Sequence, residues 1–246
     1  MQGTAPVQQF GKAPTQIPPG LKQYPDYLRA GAVLPQTPEV LDGYTCVAQW
    51  ALDGNGKYGD CDMAAAAHAI HYWNVLARSD DPVPTLAEVL AEYRKLSRGM
   101  DAGLIEAEVL KTWHRTGLWG NRIVGYAPLD LHNLAMLRQA VYLYGVVFAG
   151  IRLTNSSQHQ FKKNQRWSLV EGWNSEAIIG AHCVPIVGYD RHSFYVVSWG
   201  RIQELTCEWW NSYAEEAWAI LPHQLEQARG YAHLNLAQLQ ADLKTV

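Results

Sequence analysis

Two residues that lie far apart in the chain, Cys61 and His182, have the side chains that thiol chemistry requires. Cys61 follows Gly59-Asp60 and opens a segment rich in helix formers, so we expect its sulfur at the N-terminus of a helix. The free N–H groups and the dipole of a helix start favour the thiolate, which is the nucleophilic form. This contribution is about 0.3 to 1 kcal/mol, less than the roughly 1.36 kcal/mol of one pKa unit, and the flanking Asp60 and Asp62 oppose it. A nearby imidazolium is therefore needed to hold the thiolate at neutral pH.

Three short motifs, in the right order along the chain, resemble those of the papain-like cysteine peptidases. Residues 55–66 (NGKYGDCDMAAA) resemble the family's nucleophile segment, in which a Gln stands six residues before the Cys that starts the central helix; Asn55 has that place here. Residues 181–189 (AHCVPIVGY) resemble the family's histidine strand without a gap, and Ser198-Trp199-Gly200 matches the Ser-Trp-Gly that follows the family's orienting Asn. The resemblance covers roughly residues 45–221. The chain is also similar to papain-like proteins of bacterial and phage genomes that carry Tyr-Gly-Asp-Cys and Val-Val-(Ser/Thr)-Trp-Gly, which implies a fold but no substrate.

The resemblance implies a role for each matched residue. Cys61 attacks an acyl carbon, and His182 takes and returns the proton. The Cys61 backbone N–H and the Asn55 side-chain amide hold the oxyanion, although Asn is one methylene shorter than the family's Gln. The orienting Asn of the family falls on Val197 when counted from the Trp-Gly motif and on Ser198 when counted from the histidine. Adjacent strand residues face opposite sides, so only one of the two can face His182, and Ser198 is preferred because it can form a hydrogen bond.

Three functions are compatible with these residues. The leading interpretation is a thiol-dependent acyl-transfer enzyme, most simply a cysteine peptidase or amidase that uses a Cys61–His182 dyad on a peptide or amide substrate. The alternative is a catalytically inactive papain-like scaffold that acts as a binding or structural module, with Cys61 as a small buried side chain. The acids beside Cys61, Asn55 in place of Gln and the lack of a clear orienting amide favour this alternative. The third hypothesis is acyl transfer to an acceptor other than water.

The elements that must position these residues predict an α+β protein, with helices first and strands last. Its central helix runs from Cys61 to about Ala77, and small residues in its first turns allow close packing. The other expected elements are a helix capped by Thr85 and stopped at Gly99, a helix from Leu104 to Thr116, a helix from Asp130 to Tyr144, a strand from Val146 to Leu153, a long loop over 155–180, strands Cys183–Gly188 and Phe194–Trp199, and a block of mixed helix and strand over Glu208–Leu221. The resemblance implies that an antiparallel sheet half carries His182.

The predicted domain organisation is one papain-like domain over residues 41–246, preceded by an arm. The arm, residues 1–40, is rich in Pro, Gly and Gln and has no periodicity, so we expect it to lie extended over the surface or loose. The helical half covers about 41–120 and the sheet half about 121–230, with a C-terminal tail over 231–246. We expect the cleft between the two halves to hold the active site.

The composition and charge of the chain argue against some classes of binding partner. The chain has 246 residues, 48% of them hydrophobic, which is enough for a large core. Its net charge is −3 and it has no basic run, so nucleic acid is not expected as a partner. No stretch approaches the roughly 18 apolar residues of a membrane span, and the N-terminus lacks a signal-peptide apolar run. These features predict a soluble, cytoplasmic protein that binds no membrane. Neither a cofactor nor a metal is indicated, and the oligomeric state is not specified.

The remaining candidate residues have simpler interpretations. His68 and His71 lie three apart on one helix but lack a third ligand at suggestive spacing, so we expect them to be packed or hydrogen-bonded. Asp101 and Gly103 fall in the loop that lines the cleft of papain-like folds, and a plain turn explains them equally well.

The four cysteines contain no CxxC pair, so neither a zinc ribbon nor a disulfide framework is indicated. Cys183 follows His182 on a strand and should point to the opposite face, into a core. Cys46 and Cys207 are also expected to be core thiols, and a disulfide between them has no support from the sequence.

Overall fold

A computed structural model describes residues 9–246, apart from the side chains of residues 227–229; the first eight residues of the predicted arm lie outside this description. A six-stranded antiparallel sheet has the order β1-β6-β2-β3-β4-β5, and helices pack around it. The strands are β1 Ile123–Pro128, β2 Val147–Thr154, β3 Ile178–Tyr189, β4 Ser193–Ser198, β5 Arg201–Thr206 and β6 Ala214–Pro222. The helices are α1 Cys61–Ala77, α2 Leu86–Leu96, α3 Glu106–Arg115, α4 Leu134–Tyr144, α5 Asn155–Lys162, α6 Cys207–Tyr213, α7 His223–Arg229 and α8 Leu236–Thr245. The predicted α+β class is confirmed.

The central helix α1 begins at Cys61 and ends at Ala77, as predicted. Its first ten residues are all buried, and four consecutive alanines allow the neighbouring elements to approach closely. The helix packs against β3, and Trp73 Nε1 donates a hydrogen bond to the Tyr144 carbonyl at 2.7 Å. Helix α1 is thus held against β3, the strand that carries His182, and against the end of α4. None of the described helices is both long and apolar enough to cross a bilayer.

One predicted helix start is wrong. The helix expected from Asp130 begins instead at Leu134, where the Asn133 side chain accepts a hydrogen bond from the backbone N–H of Met136 at 3.0 Å. Asp130 caps the preceding turn, because its carboxylate accepts from the His132 N–H at 2.9 Å. Two residues compete for the role of N-cap, and the sequence does not indicate which of them starts the helix.

The predicted loop over 155–180 is also wrong, because its first eight residues form α5. Thr154 caps this helix by accepting from the Ser157 N–H at 3.3 Å. The helix is short and polar, so it has little apolar periodicity to detect. Strands β1 and β5 and helix α7 were not predicted, and the C-terminal tail contains α8, whose Leu239 and Leu243 are buried.

A two-residue turn, Trp199-Gly200, joins β4 to β5. Both residues have positive φ, 44° and 74°, which the tightest β-hairpins require. This conformation is strained for a bulky residue such as Trp. The Gly of the Ser-Trp-Gly motif is therefore explained by the positive φ that this turn requires. The turn also points the indole of Trp199 back toward β3.

The arm is anchored to the body of the protein through its tyrosines. Tyr24 and Tyr27 are fully buried; the Tyr24 hydroxyl is hydrogen-bonded to that of Tyr144 at 2.8 Å, and Tyr27 donates to Asp242 at 2.9 Å. Upstream of these anchors, residues 10–15 cross the groove between the 101–104 loop and β3; we call them the cleft-crossing segment. The division of the chain into an arm and two halves stays a prediction.

The Trp199-Gly200 turn predicts an order of stability for substitutions at Gly200. Gly200→Ala should lower the free energy of unfolding by about 1 to 2 kcal/mol, because a Cβ in the left-handed region is strained. Gly200→Asn should lose less, since Asn tolerates that region. Urea denaturation of both variants measures the difference. Equal losses for Asn and Ala would show that steric contact with the Ala51 carbonyl, and not backbone conformation, sets the cost.

Candidate active site

The sulfur of Cys61 lies directly against β3. The backbone N–H of Cys183 donates a hydrogen bond to Cys61 Sγ at 3.3 Å, and the thiol itself donates to Asp62 Oδ2 at 3.5 Å. Cys61 is only 1% exposed. Because Cys183 follows His182 in the chain, this contact brings the helix start and the histidine strand together, as the sequence motifs require.

The ring of His182 is held on two sides. Its Nε2 is hydrogen-bonded to Ser198 Oγ at 3.0 Å, and its face stacks on the indole of Trp199, with centroids 4.2 Å apart and planes at 9°. Nδ1 is buried and has no hydrogen-bond partner among the described residues. Of the two candidates for the orienting position, Ser198 faces His182, whereas Val197 packs in the core. Nδ1 is therefore the ring nitrogen left to exchange a proton.

Burial sets the charge state of this pair. It raises the pKa of the Cys61 thiol well above its ordinary value, and the nearby Asp62 adds to the effect while the Cys183 N–H opposes it. Burial also lowers the pKa of His182 to about 3. In the described conformation Cys61 is thus a neutral thiol and His182 a neutral imidazole. A thiolate–imidazolium pair requires water or substrate to enter first.

The acids beside Cys61 are affected in the same way. Burial raises the pKa of Asp60 to about 7, and it raises the pKa of Asp62 as well. The two charges that the sequence places next to the thiol are thus partly or wholly neutralised by protonation. Their repulsion of a thiolate is weaker than the sequence alone suggests.

The loop before α1 is pinned by Asp101. Its carboxylate accepts hydrogen bonds from the Gly59 N–H at 2.8 Å and from the Tyr93 hydroxyl at 2.7 Å, so it is more than a plain turn residue. Asn55 is buried in the same loop, where its side-chain amide donates to the Tyr58 carbonyl at 3.5 Å. This is a long and weak bond, and the Asn55 side chain also forms a hydrogen bond with Asp60.

The two histidines of α1, His68 and His71, have different partners. His68 Nε2 donates to the Ala51 carbonyl at 2.7 Å and lies 3.3 Å from Asp53 Oδ2, and burial lowers its pKa to about 4. His71 is half-buried beside Trp50, at a ring distance of 5.8 Å. Both are thus packed or hydrogen-bonded, as expected.

Two of the three cysteines expected to be core thiols, Cys46 and Cys207, are not in the core, whereas Cys183 is. Cys46 is exposed and Cys207 is half-buried, and all four cysteines of the chain are free. Cys183 is buried, but it faces acids: its sulfur and one oxygen each of Asp62 and Glu106 lie within 4.8 Å of one another. No periodic pattern could indicate this cluster, because the three residues come from a strand and two different helices.

The cleft-crossing segment covers the site. The Gly11 carbonyl accepts from the Leu104 N–H at 2.8 Å, the Ala13 N–H donates to the Leu104 carbonyl at 2.8 Å, and the Lys12 N–H donates to the Ala181 carbonyl at 3.4 Å. A Cβ at Gly11 would overlap the backbone of Gly59, two residues before Cys61. The chain's own backbone therefore fills the groove beside Cys61, which the lack of periodicity in the arm did not reveal.

Comparison with solved structures identifies similar folds. Xylellain, a cysteine protease from Xylella fastidiosa, matches 90% of this chain and 98% of its own with a TM-score of 0.68 and 15% identity. ProCathepsin B S9 from Trypanosoma congolense matches 87% of this chain and 86% of its own with a TM-score of 0.61 and 12% identity. The Carica candamarcensis cysteine protease CMS1MS2, in complex with E-64, covers 75% of this chain and 98% of its own with a TM-score of 0.51 and 14% identity. No family model and no curated protein matches the sequence. The chain thus has the fold of the papain-like cysteine proteases.

The buried thiol predicts a distinctive alkylation profile. In the resting chain, Cys61 should react with iodoacetamide at least about 10-fold more slowly than the exposed Cys46 near pH 7, because each pKa unit of elevation removes about tenfold of the thiolate. Peptide mapping by mass spectrometry across about pH 6 to 10 measures both cysteines in one sample. A fast Cys61 reaction that is already constant near pH 6 would contradict the neutral pair and indicate a preformed thiolate–imidazolium pair.

Proposed function

We propose that this protein is a cysteine peptidase or a closely related thiol-dependent acyl-transfer enzyme, with Cys61 as the nucleophile and His182 as the general acid and base. The observation that carries the proposal is the hydrogen bond from the Cys183 N–H to Cys61 Sγ, which seats a helix-start thiol beside the histidine strand. The fold agrees with this, since the similar structures are named as cysteine proteases. The substrate class that fits is a peptide or other amide.

The chemistry follows from the two ring nitrogens. His182 Nδ1 takes the thiol proton as Cys61 Sγ attacks the acyl carbon, and it returns that proton to the leaving amine. Water then attacks the thioester with the same nitrogen as base, which releases the acid and restores the thiol. Ser198, bonded to Nε2, keeps the ring in position. The first N–H groups of α1 and the Asn55 amide are the donors nearest in sequence for the oxyanion.

The described conformation is the resting one. The S–H of Cys61 is directed to Asp62, and residues 10–15 lie in the groove, so Cys61 has neither its base nor room for a substrate. Withdrawal of the cleft-crossing segment admits water, lowers the cost of charge and allows the thiol proton to pass to His182. Catalysis thus begins with a movement of the arm.

An inactive scaffold is the second candidate. Its specific support is the neutral pair, with a thiol pKa raised by burial and an imidazole pKa lowered to about 3. The groove would then be a binding surface that the arm closes. A covalent test of Cys61 separates the two candidates.

The closed state predicts activation by charge reversal at Lys12. This side chain is paired with Glu215 and Glu216, and breaking a buried ion pair typically costs roughly 3 to 5 kcal/mol. Lys12→Glu should therefore expel the cleft-crossing segment and raise the rate at which a peptidyl vinyl sulfone labels Cys61 by at least about 10-fold. Intact-mass spectrometry measures the adduct. Lys22→Glu, an exposed lysine of the same arm, is the matched control, and equal rates in both variants would contradict the closed state.

In the Lys12→Glu variant, further substitutions at His182 and Ser198 should slow the labelling of Cys61 by different amounts. His182→Ala should slow labelling of Cys61 by about 10²- to 10⁴-fold, which is the usual contribution of a general acid–base group. Ser198→Ala should slow it by about 3- to 10-fold, because it removes one hydrogen bond worth about 0.5 to 1.5 kcal/mol. His71→Ala, a half-buried histidine outside the pair, is the control. If His182→Ala labels as fast as the control, Cys61 lacks its base and the scaffold interpretation holds.

A further inference from the structure

A thiol and two carboxyl groups converge in the protein interior beside the first turn of α1. The sulfur of Cys183 on β3 and one oxygen each of Asp62 on α1 and Glu106 on α3 lie within 4.8 Å of one another. Cys183 is 2% exposed, and both acids are 0% exposed. Three separate elements thus bring one donor atom each to the same small volume. We call these three residues the thiol–carboxyl cluster.

The donor atoms of the thiol–carboxyl cluster have few partners outside it. The Cys183 thiol forms a hydrogen bond with the Glu106 carboxyl group, which has no other hydrogen-bond partner among the described residues. Asp62 Oδ2 accepts from the Cys61 thiol at 3.5 Å, whereas Asp62 Oδ1 has no hydrogen-bond partner in any other described residue. Buried polar atoms are nearly always hydrogen-bonded, and an unpaired one is a common sign of a bound ion or water or of a chemical role.

Burial keeps the thiol–carboxyl cluster protonated in the described conformation. It raises the pKa of Asp62, of Glu106 and of the Cys183 thiol, and the other acids nearby add to this effect. The cluster therefore needs no counter-charge in this state. A metal ion that binds here takes the place of the protons, because thiol and carboxyl groups bind metals in their deprotonated forms.

The spacing of the three donor atoms fits a small metal ion. Three atoms within 4.8 Å of one another share a centre at most 4.8/√3, or about 2.8 Å, from each of them. Zinc binds sulfur at about 2.3 Å and carboxylate oxygen at about 2.0 to 2.2 Å, so each donor atom has to move by less than about 1 Å. One sulfur with two oxygens favours zinc over magnesium and calcium, which take oxygen ligands alone.

Lys12 lies near the thiol–carboxyl cluster but pairs with other acids. Its Nζ is 2.8 Å from Glu216 Oε1 and 3.3 Å from Glu215 Oε2, both on β6. Glu106 is also among the acids that raise the pKa of Lys12, so the ammonium is within electrostatic reach of the cluster. A Zn²⁺ ion with one thiolate and two carboxylates has a formal charge of 2 − 3 = −1, and the ammonium therefore attracts the occupied site as a whole.

We propose that Cys183, Asp62 and Glu106 bind a zinc ion, which ties α1 and α3 to the sheet. This inference goes beyond the proposed peptidase function and is independent of it, because none of the three side chains has a part in the reaction described above. No element supplies two of the ligands, so the bound ion crosslinks three elements. It stabilises the protein, since the unfolded chain does not hold the three ligands together.

The experiment uses the full chain, expressed in medium supplemented with zinc chloride so that the buried site can fill as the protein folds. Native mass spectrometry should detect one zinc ion per chain. Removal of the ion by dialysis against a chelator should lower the melting temperature, and zinc chloride, but not magnesium chloride, should restore it. Cobalt(II) in place of zinc should give the near-ultraviolet charge-transfer band of a thiolate ligand.

Substitutions at the ligands test the assignment. Cys183→Ala and Glu106→Gln should each weaken zinc binding at least about 10-fold in a competition titration with a fluorescent chelator, because even residues that only support metal ligands contribute 10- to 100-fold. Glu108→Gln, at an exposed position of the same helix, and Cys46→Ser, at an exposed cysteine, are the matched controls and should bind zinc as the unsubstituted chain does.

Several outcomes overturn the inference, and none of them depends on whether Cys61 is a nucleophile. They are a chain without zinc, equal stabilisation by magnesium, and unchanged zinc affinity in Cys183→Ala and Glu106→Gln. Zinc that is lost in Cys61→Ala but kept in Cys183→Ala would belong to Cys61 and His182 instead. If neither ligand variant folds, the cobalt spectrum is measured in a chain whose other three cysteines, Cys46, Cys61 and Cys207, are replaced by Ser. A charge-transfer band there supports the site, and its absence overturns it.

Discussion

The amide of Cys183 donates its hydrogen bond to the sulfur of Cys61, and the rest of the site is arranged around this contact. It requires that the first turn of α1 lie against β3, which in turn requires the small side chains of that helix. The sulfur of Cys183 and one oxygen each of Asp62 and Glu106 also lie within 4.8 Å of one another, so the acidic cluster beside Cys61 is a consequence of the same packing arrangement. A helix shifted by one turn, about 5.4 Å, would lose both.

Burial has opposite consequences for chemistry and for stability in this protein. It keeps Cys61 and His182 neutral, which protects the thiol from adventitious reaction, and it makes the acids beside them costly to ionise. Lys12 offsets part of the free-energy cost of ionising buried acids, because its ammonium pairs with the carboxylate of Glu216. The arm is thus more than a cover, because its charge satisfies groups that a free cleft would leave to solvent or to a ligand.

Much of the fold could be predicted from the sequence, because the strongest signals are local. The helix start at Cys61, the α+β class and the order of the motifs need only composition and short-range pattern. The position of the N-terminal segment could not be predicted, since Lys12 has no periodic context and its partners lie about 200 residues away. Gly150 within an apolar strand is the one local signal of the close approach of Lys12. The polar helix α5 was missed because its stability comes from the Thr154 cap and tertiary packing.

The tyrosine anchors of the arm lie only about a dozen residues after Lys12, so the cleft-crossing segment remains tethered when it withdraws. A short flexible tether holds its end near the groove at an effective concentration on the order of millimolar. Any peptide must compete with the tethered segment at this effective concentration. Ligands that bind weakly are therefore excluded from the groove by mass action alone. Proteolytic removal of the residues before the anchors would abolish this competition permanently. The closed conformation would then exist only in chains that still carry residues 10–15.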